Sequence, residues 1–154
     1  KRQIKEWELE PVSLAAIDIE GVKTLAKNDS KKYRLVTVWA TWCVTCVAEF
    51  PEFLAMNRMY RRRDFEMITI SINRMKEIDN AREVLKKNHM SCTNYIVDFE
   101  DQDALAEALD SKWPGPVPYT LLIAPGGKVI YRKPGPIDPL ELKKAIVERL
   151  GRTY

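Results

Sequence analysis

No apolar run in this 154-residue chain approaches the ~20 residues that a membrane-spanning helix needs. An excess of one charge is missing too. The 25 Lys and Arg against 22 Asp and Glu leave a net +3, too little to imply nucleic acid or an anionic membrane surface. The densest basic run, Arg61-Arg62-Arg63, follows an amphipathic stretch and is broken at once by Asp64, as at a solvated helix end. Histidine occurs once, at His89. Cysteine occurs three times, which excludes the even, dense framework of a small disulfide-stapled domain and leaves the compartment open. The chain opens at Lys1 with no methionine and no apolar signal core, so it reads as a piece of a longer protein, and the missing leader says nothing of location.

What is present suits one water-soluble domain, 45% hydrophobic and 31% charged. Residues 1–17 mix charge with isolated Trp7, Leu9 and Val12, and read as an N-terminal extension, an edge strand or a linker remnant. The domain proper is expected over 18–154. Asp18 caps a helix over 19–26, with Ile19, Val22 and Leu25 on one face. The stretch RLVTVWA (34–40) is short, β-rich and almost unbroken in apolarity, as a strand buried on both faces should be. A long helical pattern follows (Val47, Phe50, Leu54, Met59-Tyr60), interrupted by Pro51, which predicts a kink. Strand-like segments at 65–72 and 94–99 alternate with helices through 81–87 and 102–109. Then 119–124 and 128–133 flank Pro125-Gly126-Gly127, a hairpin signal. Asp138-Pro139 opens a last helix and Gly151 stops it. Strands joined through helices pair parallel, while the hairpin is antiparallel. An α/β fold follows, a mixed central sheet with helices on both faces.

The chemistry concentrates in VWATWCVTC (38–46), where Cys43 and Cys46 are separated by Val44 and Thr45. Haem attachment requires His directly after the second cysteine, and Val47 stands there. Zinc would need Cys43 and Cys46 completed by His89 and Cys92. Those residues lie on a separate element with no knuckle glycine at either pair, and His89 and Cys92 are read as a helix-end residue and a small buried hydrophobe. No metal is expected. A redox dithiol suits the setting better. The strand delivers Cys43 to a helix N-terminus, whose unpaired N–H groups and dipole favour a thiolate. Cys46 lies one turn deeper and should keep its proton longer. Cys43 is thus the attacking sulfur and Cys46 the resolving one.

WATWCVTCVAEFP (39–51) closely resembles the active-site segment of the TlpA/ResA type, extracytoplasmic bacterial thiol-disulfide oxidoreductases of the thioredoxin fold. The likeness extends to VPYTLLIAPGGKVIYRKPG (117–135). It implies a thioredoxin fold that exchanges the Cys43–Cys46 disulfide with protein thiols and disulfides, with no cofactor besides that disulfide. It further implies a reductant supplied by a membrane electron donor, acting as a monomer in the periplasm or another extracytoplasmic space. Pro118 matches the family's cis-proline, with Val117 and Trp42 as substrate contacts, Val117 through its backbone in strand-addition fashion. Glu49 matches an acidic residue that could accept or return the proton of Cys46. Three departures stand out. The family's common N-terminal hairpin is not evident in residues 1–17. Thr37 occupies the strand position where thioredoxins proper have a buried Asp. Thr45 stands where the family usually has proline, so Val44 and Thr45 are read as tuning residues, the restored Thr45 N–H being a donor near the attacking sulfur.

Overall fold

The structure is a computed structural model and describes residues 5–151. Its strands are β1 (Ala15–Ile17), β2 (Tyr33–Trp39), β3 (Phe65–Ser71), β4 (Thr93–Val97), β5 (Tyr119–Ile123) and β6 (Val129–Pro134), side by side in the order β1-β4-β3-β2-β5-β6. The first four run parallel to their neighbours, and β5 lies antiparallel between β2 and β6. Central β2 is buried from Leu35 to Trp39, as its continuous apolarity requires.

Among the described residues six α-helices cover the sheet: α1 (Ile19–Lys27), α2 (Val44–Ala48), α3 (Phe50–Tyr60), α4 (Ile78–Lys87), α5 (Gln102–Leu109) and α6 (Pro139–Leu150). Successive strand residues point to opposite faces, so β2 feeds two cores. Val36 and Val38 meet Val22 and Leu25 of α1 and Leu105 of α5 on one side. Leu35 and Trp39 join Phe53 of α3, Leu85 of α4 and Leu142 of α6 on the other, the side that also holds Cys43 and Cys46. Among the described residues no helix is long and apolar enough to cross a membrane.

Local chemistry sets the helix ends. Asp18 accepts the Gly21 N–H at 2.7 Å, and Asp138 accepts those of Leu140 and Glu141 at the start of α6, ahead of Pro139. Beyond α1, Asn28 takes a left-handed backbone, φ 45°, and its buried amide donates to the carbonyls of Lys32, Ile123 and Ala124. The hairpin turn thereby docks on the helix end. Glycine is required there, because Gly127 has φ +99° and a Cβ would stand 3.0 Å from the Lys27 carbonyl oxygen.

The N-terminal segment contributes β1 at the edge of the sheet and a 3-10 turn at Glu6–Leu9, with the Arg58 guanidinium 4.3 Å from the Trp7 ring centroid. One expectation changes. Pro51 does not kink a continuous helix; the helix ends at Ala48 and a new one begins at Phe50. Proline has no N–H to offer Val47, and it is tolerated only in a helix's first turn, so the chain restarts around Glu49.

Candidate active site

At the end of β2 the chain turns through Ala40-Thr41-Trp42, and the Cys43 N–H closes the turn on the Ala40 carbonyl at 3.1 Å. Cys43 and Cys46 form a disulfide with their Cα atoms 5.3 Å apart. Cys43 is 9% exposed and Cys46 2%, the asymmetry expected if the first sulfur meets a partner and the second waits behind it. The Cys46 N–H points at the Cys43 sulfur, 3.2 Å away. Helix α2 is only five residues long, so a large helix dipole is not available. The donor on the Cys43 sulfur is this one N–H, rather than that of Thr45. Val44 and Thr45 both face solvent, as does Trp42, which is 63% exposed beside Cys43.

Glu49 sits where α2 gives way to α3, almost wholly buried. One oxygen, Oε2, accepts the Ile137 N–H at 2.5 Å; the other, Oε1, is buried with no hydrogen-bond partner among the described residues. Burial raises its pKa above the usual glutamate value, and the Ile137 N–H opposes that only in part. A carboxyl that gives up its proton reluctantly, one turn beyond Cys46, is chemically suited to exchange a proton with a thiol.

Across the site the Val117–Pro118 peptide bond is cis. Pro118 is buried, and half-buried Val117 packs against the core cluster that holds both cysteines. Trp42, Ile72, Gln102 and Pro114 to Val117 line a shared cleft. Behind it the loop is tied down by groups the sequence did not single out. Asp110 takes two bonds from the Arg132 guanidinium, at 2.6 and 3.0 Å, and one from the Tyr119 hydroxyl at 2.5 Å. Trp113 stacks on Tyr119 and donates its indole N–H to the Pro116 carbonyl. Arg132 is brought to Asp110 by the pairing of β5 with β6, and no local motif announces that contact. The same holds for Ile137, which reaches Glu49 across 88 positions, and for Asn73, whose amide is hydrogen-bonded to Thr41.

Thr37 is buried and its hydroxyl pairs with that of Thr120 at 3.2 Å, so a non-titrating pair fills this strand position. The other sulfur lies apart from this chemistry. Cys92 is engaged with the Asn94 side chain, and burial pushes its thiol up to about 12. His89 packs edge-on against Trp7. Among the described residues no group of three or more His, Cys, Asp or Glu is arranged to hold a metal ion.

Comparison with known proteins bears on this arrangement. The family model described as Redoxin matches residues 12–148. The thiol-disulfide oxidoreductase ResA of Bacillus subtilis is 29% identical over 114 residues, covering 73% of this chain and 59% of that protein. ResA of Geobacillus thermodenitrificans is 25% identical over 112 residues, covering 73% and 60%. The chain thus spans about three fifths of the length of these relatives. In fold it is similar to the crystal structure of a thiol:disulfide interchange protein, thioredoxin family protein, from Chlorobium tepidum. The TM-score is 0.65 at 20% identity, over 84% of this chain and 85% of that one.

Proposed function

The chain belongs to the redoxin family, and from that premise we propose that it is a thiol-disulfide oxidoreductase whose redox group is the Cys43–Cys46 pair itself, with no further cofactor. The observation that carries the reading is the pair's placement. The less exposed pair member Cys46 is sealed one helical turn before Glu49, a buried carboxyl, while Cys43 lies beside exposed Trp42, which lines the cleft to Val117.

In the reducing direction the Cys43 thiolate attacks one sulfur of a partner disulfide. The new S–S bond joins Cys43 to the partner, and the partner's other sulfur leaves as a thiolate and takes a proton. Cys46 then gives its proton to Glu49 or to water and attacks the Cys43 sulfur. The partner departs with two thiols, and Cys43–Cys46 is left as the disulfide. Trp42, the Val117 backbone and Pro118 hold the partner chain as it lies across the site. Val44 and Thr45, both on the rim, tune the couple through their side chains and not through the Thr45 N–H. An electron donor in the membrane re-reduces the pair, and the protein works as a monomer in the periplasm or a comparable extracytoplasmic space, assignments that rest on the resemblance of residues 39–51 to the TlpA/ResA type.

One observation favours the opposite direction, an oxidant. The Cys46 N–H stabilises a Cys43 thiolate and therefore the reduced form. The reduction potential against glutathione decides between them. A value near −270 mV supports the reductant and one near −120 mV the oxidant. For the activity itself, disulfide reduction of insulin is expected to vanish in Cys43→Ser. In Cys46→Ser a mixed disulfide with substrate is expected to accumulate. Full turnover by Cys43→Ser would overturn the reading.

A further inference from the structure

Asn73 stands two residues beyond the end of β3, is 1% exposed, and takes no part in the chemistry above. Its side-chain amide is saturated. Oδ1 accepts the Thr41 N–H at 3.0 Å and the Ser71 hydroxyl at 2.7 Å; Nδ2 donates to the Thr41 hydroxyl at 2.8 Å and, at longer range, to Glu77 at 3.4 Å. An amide has two acceptor sites and two donor hydrogens, so nothing is left over. Two of its bonds go to a single residue, one to backbone and one to side chain. Thr41 is therefore gripped at both ends, and it lies two positions before Cys43.

We propose that Asn73 is a positioning residue for disulfide exchange, a clamp on the Thr41 turn that keeps the reduced Cys43 sulfur on the Cys46 N–H. The proposal rests on the thiol-disulfide reading of the site. In the oxidised protein the covalent bond to Cys46 already holds the Cys43 sulfur in place, so the clamp is redundant there. Reduction breaks that bond. The position of Cys43 then depends on the hydrogen bonds of the turn, its own N–H on the Ala40 carbonyl and the two-ended grip on Thr41. An N–H aimed at a thiolate is a charge-assisted hydrogen bond and is lost if the sulfur drifts. Asn73 thus stabilises the reduced form selectively, and its removal makes the couple more reducing.

The test equilibrates the full chain with glutathione buffers and reads the fraction reduced, for the parent and for Asn73→Ala, Thr41→Val and the double variant. Thr41→Val keeps the backbone N–H and removes only the hydroxyl. Asn73→Ala is expected to shift the equilibrium constant toward the disulfide by about threefold or more, the effect of weakening one hydrogen bond. Thr41→Val should shift it less and in the same direction, and the double variant by less than the two combined, because both remove the bond from the Asn73 amide to the Thr41 hydroxyl. If Asn73 is only structural, both redox forms lose the same melting temperature and the glutathione equilibrium stays at the parent value. That result overturns the proposal. Should Asn73→Ala not fold, Thr41→Val decides alone: a shift toward the disulfide supports the clamp and an unchanged equilibrium refutes it. A parent chain whose disulfide does not exchange with glutathione would overturn the underlying reading, and the clamp with it.

Discussion

Glu49 holds one carboxylate oxygen on the Ile137 N–H and offers the other to nothing, in a site nearly closed to water. Such a group is easier to protonate when the chain is folded than when it is unfolded, since burial raises its pKa. Its stabilising contribution is therefore full below the unfolded value and disappears as pH rises through the folded one. Glutamine in its place cannot ionise and can keep an oxygen on Ile137. Glu49→Gln is accordingly expected to melt above the parent at pH 7 to 8 and to approach it near pH 4. The same change removes the proton acceptor proposed for Cys46. Resolution of the mixed disulfide should slow on the order of tenfold, with water as the weaker substitute. Stopped-flow decay of a Cys43-linked substrate across pH measures it; an unchanged profile would reduce Glu49 to a packing residue.

Two elements meet over the site, the broken α2–α3 pair and the loop that leads from α5 to β5. The first break was partly legible. Pro51 announced an interruption, but only the structure shows that the interruption turns Glu49 inward between two helices. The loop was legible as a proline-glycine cluster before Pro118, and not as a fixed one. Its rigidity comes from Asp110, clasped by Arg132 and Tyr119. Burial alone would raise the Asp110 pKa, and the bonds from Arg132 and Tyr119 outweigh it and hold the carboxyl below its usual value. A depressed carboxylate adds stability above its unfolded pKa and loses it as pH falls through the folded one. Asp110→Ala should thus cost about 2 kcal/mol at pH 7, with the gap to the parent narrowing in acid. Because Val117 hangs from the same loop, KM for a protein disulfide should rise more than kcat falls. Denaturant melts across pH, together with steady-state kinetics, test both halves.

At the scale of the whole molecule the strand and helix succession, the mixed sheet and the two-sided core could be read from hydrophobic period and turn residues, and the fold agrees with that expectation. Cys43 and Cys46 were legible for the same reason: three residues of sequence place them together. Asn73, Ile137 and Asp110 were not, since each acquires its partner through strand register or a long crossing that no local pattern encodes. The third thiol reports on the same global order. With its ionisation pushed up to about 12 and its sulfur lodged near Asn94, Cys92 should resist alkylation while the fold persists. Reduced protein at pH 8 is expected to label fastest at Cys43, more slowly at Cys46, which is 2% exposed, and slowest at Cys92, whose signal rises as denaturant unfolds the chain. Three equal rates in native buffer would contradict that packing.

Glu49 and Ile137 are neighbours in space and 88 positions apart in the chain. During biosynthesis the two thiols thus leave the ribosome long before the residues that surround them, and β5 must still slot between β2 and β6 to complete the site. Until then the dithiol is a short exposed pair with neither the carboxyl's anchor nor the Val117 rail, open to whatever oxidant it meets first. The working centre comes into being at the close of folding, and any break after α5 would leave a chain that carries both sulfurs and no machinery to direct them.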